Sequence, residues 1–134
     1  MTNATSLNIA VVDLVRVLDD SALGKAGAKQ VEALYQQQQR ELAPLLQQAK
    51  QKKPGDPLGR TIDEKQRGFE AEREKLRVEL RNHLLSKTQP IVQKLASSSG
   101  FDFVLARPQG MIFARPELDL TQQVIAALDA TTSG

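Results

Sequence analysis

Short apolar runs of strand length stand at the two ends of this chain, and a polar, helix-period segment over residues 25–94 separates them. Leu7, Asn8, Ile9, Ala10, Val11 and Val12 form the first run; residues 101–105 and 111–114 form the second. Strands so distant in sequence share a sheet only if the middle leaves and comes back. The pattern therefore predicts an α+β fold: a small β-sheet body built from both chain ends, and a long projecting α-helical coiled-coil hairpin. The body is expected over residues 7–24 and 95–129 and the hairpin over 25–94, with its tip near 52–60.

A chain of 134 residues is one domain by length. Even when compact, a chain of this size buries only about two-thirds of its unfolded surface. With so much sequence in a projecting segment, the body is expected to complete its core by oligomerising, through Ile9, Val11, Phe101, Phe103, Leu105 and Ile112. There is no cysteine, so a disulfide frame or thiolate metal site is ruled out. No run approaches the roughly 18 apolar residues of a membrane span, and residues 1–6 lack the basic and apolar regions of a secretory signal, so the expectation is either a cytosolic protein or one whose signal lies outside these residues.

Net charge is +2, unevenly distributed. Residues 25–94 carry 15 Lys and Arg against 9 Asp and Glu, giving +6, and the remainder carries 3 against 7, giving −4. Lys50, Lys52, Lys53 and Arg60 crowd the tip with Asp56 the only acid between them, and Arg67, Arg73, Arg77 and Arg81 continue along the return helix. Charged runs often do no more than solvate a helix face. Segregation by segment suggests more: a basic projection attracts anionic partners, less so at high salt.

Along the chain, Asp13 can cap a short helix to about Asp20 with Leu14, Val17 and Leu18 inward, and residues 21–24 break it. Ala28, Val31, Tyr35, Gln38, Leu42, Leu45 and Ala49 then alternate in steps of three and four, a coiled-coil seam. Residues 52–59, with two prolines and two glycines, read as the turn, and Thr61 with Glu64 as a capping box for the return helix. Folding about residues 55 and 56 sets position i opposite roughly 111 minus i, so Gln38 meets Arg73 and Leu42 meets Phe69. That pairing is apolar near the body and mixed further out, which predicts a softer distal half. Pro44 is expected to kink the outgoing helix. Leu76, Leu80 and Leu84 form a stutter in the return helix. Residues 102–107 and 111–114, joined through Pro108, Gln109 and Gly110, read as a β-hairpin, and Asp119 or Thr121 caps a final helix.

No phosphate loop, nucleophile elbow or histidine metal motif is present, and His83 has no partner ligand in sequence. The chain reads as a non-enzyme without cofactor or metal. Of its five aromatics only Tyr35 and Phe69 fall in the hairpin, both at seam positions, so no specific nucleic-acid surface is expected.

Asn8-Ile-Ala-Val-Val-Asp13 with Val15-Arg-Val-Leu18, then Gln89-Pro-Ile-Val-Gln-Lys-Leu-Ala96, Gly100-Phe-Asp-Phe-Val-Leu105, Ala114-Arg-Pro-Glu-Leu-Asp-Leu-Thr121 and Val124-Ile125 resemble the Skp (OmpH) family of periplasmic chaperones. The resemblance covers residues 7–20 and 85–129 by motif and the middle by character. It implies a homotrimer with a shared central β-barrel, whose hairpins surround a cavity that holds unfolded outer membrane proteins without ATP. Lys50, Lys52, Lys53, Arg60, Arg67, Arg73, Arg77 and Arg81 would then gather acidic clients, and an anionic lipid or lipopolysaccharide surface is a further partner for the basic tip. The resemblance implies the periplasm, with an export signal expected outside these residues. The competing expectation is a coiled-coil scaffold or spacer that holds no client, and behind it a non-specific, salt-sensitive nucleic-acid binder.

Overall fold

In a computed structural model, the described residues are 6–51, 53 and 55–132. The order is β1 (Ile9–Val12), α1 (Leu14–Asp20), α2 (Ala22–Ala49), α3 (Pro57–Ser99), β2 (Phe103–Ala106), a 3-10 turn (Pro116–Leu118) and α4 (Thr121–Thr132). The chain is mostly helical with one small sheet. It divides into two compact units, one of residues up to 25 and from 81 onward, the other Ala26–Leu80.

In the first unit β1 and β2 pair in parallel, Ile9 beside Phe103 through Val12 beside Ala106. Parallel strands need a long crossover, and the helical middle of the chain provides it. On its other side β1 is bridged at Val11 by Asp119, and the Leu120 amide donates to the Val11 carbonyl at 2.9 Å. Both edges of β1 are therefore occupied, and Ala10, Val11 and Val12 are buried. The expected β-hairpin does not form. Gly110 takes φ +95° and the Met111 amide bonds back to the Pro108 carbonyl, a turn that leads residues 111–115 away without strand pairing. Ile112, expected on a body strand, is 96% exposed, and Phe113 beside it is 75% exposed.

The core joins Ala10, Val12, Val17, Leu84, Leu120, Val124, Ile125 and Leu128, with Ile91, Val92, Leu95, Phe101 and Val104 packed against it. Alternation along β2 turns Val104 inward and leaves Phe103 and Leu105 outward and exposed.

Side-chain oxygens fix the joints. Asp13 caps α1 by accepting from the Arg16 amide at 3.2 Å, as its position predicts. Asp119 accepts from the Thr121 amide at 3.0 Å and from its hydroxyl, and that hydroxyl oxygen accepts from the Asp13 amide at 2.9 Å. Asp102 accepts from the Asn8 amide at 2.7 Å, tying the start of β1 to the segment after α3. The break after α1 is narrower than expected. Ser21 alone is non-helical, and α2 begins at Ala22, whose amide donates to Asp129 of α4 at 2.8 Å, while Ser21 Oγ accepts from Gly24. At the far end of α3, Gly100 takes φ +77° and the Phe101 amide returns to the Ala96 carbonyl, a Schellman closure.

In the second unit α2 and α3 pair antiparallel: Gln38 meets Phe69, Glu72 and Arg73, and Gly27 lies under Leu80. The Gln38–Arg73 contact matches the expected register, whereas Leu80, which that register sets opposite Val31, lies over Gly27. Two seam positions shift, because Gly27 rather than Ala28 admits the Leu80 side chain, and Tyr35 turns outward beneath Arg73. The return helix starts at Pro57 rather than at Thr61. Asp56 accepts from the Leu58 amide at 2.8 Å, and an aspartate followed by proline starts a helix better than the Thr61–Glu64 pair, which lies inside it. α2 runs through Pro44 to Ala49. Among the described residues of this unit, the buried aliphatic side chains Leu42 and Ile62 both lie beyond Gln38, so apolar burial is not confined to the half nearer the body.

Candidate functional site

The charge asymmetry seen in sequence depends on where the chain is cut. At the structural boundary, residues 26–80 carry 11 Lys and Arg against 9 Asp and Glu, and the remainder 7 against 7. Lys25, Arg81, Lys87 and Lys94, counted with the hairpin by the sequence division, fall in the other unit. What survives is local: Lys50, Lys53 and Arg60 flank the turn between α2 and α3, all exposed, around the Asp56 cap. Lys52 lies outside the described residues.

The remaining basic candidates are placed differently. Arg67 is exposed on α3. Arg77 is exposed and forms an ion pair with Glu74 at 3.7 Å, an i,i+3 contact of little energetic weight at the surface. Arg81 is exposed but belongs to the other unit. Arg73 is not available as a surface cation: its Nη1 donates to Gln38 Oε1 at 2.6 Å, and its guanidinium lies 5.3 Å from the Tyr35 ring centre. The sequence treated Gln38–Arg73 as a weak polar layer; the structure makes it a paired one. Lys65, not singled out in sequence, stands 5.8 Å over the Phe69 ring. The i,i+4 spacing of the two residues could have indicated that contact.

In the other unit, Ile9 is half-buried, Val11 is buried under the Asp119 bridge and Phe101 packs against the core. Phe103, Leu105 and Ile112 are exposed. Among the described residues β2 has a partner on one side only, so the sheet ends in an open edge with apolar residues on it. Beside it, Val12, Leu14, Leu85, Thr88, Gln89, Val92, Val104 and Ala106 line a depression of about 320 Å³. Asp119 holds the opposite side of β1. Burial raises its pKa, but the hydroxyl and amide of Thr121 and the nearby Arg107 and Arg16 outweigh that and hold the carboxyl below its ordinary 3.8.

Among the described residues, no group of His, Asp and Glu is arranged to hold a metal, and no helix is long and apolar enough to cross a membrane.

A small parallel sheet whose crossover is a pair of long helices, with basic side chains flanking the turn between them, defines the class: a mostly helical α+β protein. The family model of the OmpH-like outer membrane proteins matches residues 45–128, and the chain belongs to that family. The fold is similar to the crystal structure of an OmpH-like protein from Caulobacter crescentus CB15, described as a candidate outer membrane chaperone. The TM-score is 0.66 at 20% identity, covering 98% of this chain and 89% of that one. A search of curated proteins gave no significant match.

Proposed function

We propose that the protein is an ATP-independent holdase chaperone of the periplasm that binds unfolded outer membrane proteins and keeps them from aggregating. Membership of the OmpH-like family supports the chaperone reading. The observation that carries the binding mode is the group of exposed cations at the hairpin turn, Lys50, Lys53 and Arg60, with Arg67 further along α3. Unfolded acidic clients are drawn to such a group through solvent, and the attraction weakens as salt rises. No catalytic step or cofactor enters this reading.

The working form is a homotrimer with a barrel-like body, its clients held between three hairpins. The open β2 edge and the exposed Phe103, Leu105, Ile112 and Phe113 support association of the body, because one chain leaves this apolar surface uncovered. Three copies of a weakly attracting hairpin act together through effective concentration, giving tight yet mobile capture.

The test replaces residues 36–75 by a short turn and measures suppression of aggregation of an unfolded outer membrane protein at low and high salt. The shortened protein is expected to remain trimeric by sedimentation and to lose suppression. A trimer that still suppresses aggregation as well as the intact chain would replace this reading with a scaffold or spacer.

A further inference from the structure

Among the described residues of the hairpin unit, Gln38 is the one polar side chain that is buried, at 2% exposure. Its Nε2 donates to the Phe69 carbonyl at 3.0 Å and to Glu72 at 3.2 Å, and its Oε1 accepts from Arg73 at 2.6 Å. Among the described residues, no buried side-chain nitrogen or oxygen is left without a partner. Burying an amide is costly unless its hydrogen bonds are replaced, and here they are replaced by three groups within one turn and a half of α3.

Those partners exist in one register only. With position i opposite about 111 minus i, Gln38 faces Arg73. A slip of one heptad would bring Leu42 opposite Ile62, Tyr35 opposite Phe69 and Ala28 opposite Leu76, apolar against apolar in each case. The seven residues between α2 and α3 leave enough chain for that shift. Within residues 26–80 apolar matching therefore decides weakly between the two pairings, and outside them the core contacts of Leu84, Ile91 and Leu95 resist the slip. Gln38 decides strongly: slipped, it faces Gln66 and leaves Phe69, Glu72 and Arg73, while Arg73 comes opposite Val31. A shift of four residues needs no such guard, since it already sets Leu42 against Lys65 or Arg73.

We propose that the Gln38–Arg73 layer is a register lock, a hydrogen-bonded polar layer that selects the observed pairing of α2 and α3 over the heptad-slipped one. A single buried polar residue sets register in this way in coiled coils at some cost in stability. Tyr35 completes the lock by covering the guanidinium. The device is independent of what the hairpin binds.

The chain has no cysteine, so spin labels can be placed in the full-length protein at Gln48→Cys and Glu79→Cys, both exposed positions. A heptad slip lengthens their separation by about 10 Å. With the native layer, electron–electron distance measurement should give one population. Gln38→Leu with Arg73→Leu should add a second, longer by about that amount, with helical circular dichroism retained. Gln38→Ala, which keeps Arg73, should admit the same population and decides the matter should the double variant not fold. The single native distance in a folded variant of either kind would overturn the lock.

Discussion

Replacing Thr121 by valine removes one oxygen and leaves the side-chain shape almost unchanged. That oxygen is fully buried, accepts from the Asp13 amide at 2.9 Å and donates to the Asp119 carboxylate. In the variant the Asp13 amide is left in a part-buried site without its acceptor, at the residue that caps α1. An orphaned buried donor costs about 1–3 kcal/mol, and since Asp119 keeps the Thr121 amide, about 2 kcal/mol is expected. Urea unfolding followed by far-UV circular dichroism at pH 7 measures it, with protein concentration held fixed because association shifts the midpoint. A loss below about 0.5 kcal/mol, the range of inert surface changes, would refute the reasoning.

Acid provides a second check on the same site. Asp119 has its folded-state pKa depressed below 3.8, so its contribution is fully present above that pH and is lost as pH falls through the lower folded value. Thr121→Val removes one of the groups that depress it. The stability gap between the two proteins should therefore narrow below pH 3.8. A gap that widens there would contradict the assignment.

Leu128→Ala, at a side chain with no exposure in the first unit's core, should cost about 3 kcal/mol in the same titration. Gly24→Ala should cost at least 1–3 kcal/mol by order of magnitude, because a Cβ there overlaps the Leu18 backbone carbonyl where α1 turns into α2, and backbone cannot yield as a side chain does. Charge reversal of Lys50, Lys53 and Arg60 to glutamate should weaken client capture at low salt with helical content unchanged, and the difference should shrink at high salt; equal capture by both proteins at low salt would contradict the electrostatic part of the proposal. Under the proposed association, which would cover the exposed Ile112 and Phe113, residues 111–115 should exchange their amide hydrogens slowly at high protein concentration and quickly on dilution; exchange independent of concentration would exclude this segment from the interface.

Much of the architecture follows from local chemistry and is legible in sequence. Asp13 caps α1 because a short carboxylate reaches the amide three residues on, and Gly100 ends α3 because it adopts a left-handed conformation without a Cβ clash. The three-and-four spacing from Val31 to Ala49 fixed a helix and, with the turn, placed Gln38 against Arg73. The motifs at the two ends carried the family.

Tertiary structure decided what depends on partners distant in sequence. Residues 111–114 have the composition of a strand, yet the Gly110 turn leads them away and residue 119 takes the second edge of β1, so the sheet is parallel and two-stranded. The role of Arg73 was equally hidden. A cation on a helix surface and a cation closing a buried amide have the same sequence spacing, and only the approach of Gln38 and Tyr35 from α2 distinguishes them. Charge allocation followed the same rule. Periodicity runs unbroken through α3, so sequence assigned Arg81, Lys87 and Lys94 to the hairpin, whereas packing of Leu84, Ile91 and Leu95 with the strands and α4 gives that stretch of the helix to the body. Helical periodicity reports that a face is apolar; which surface covers it is settled by long-range packing.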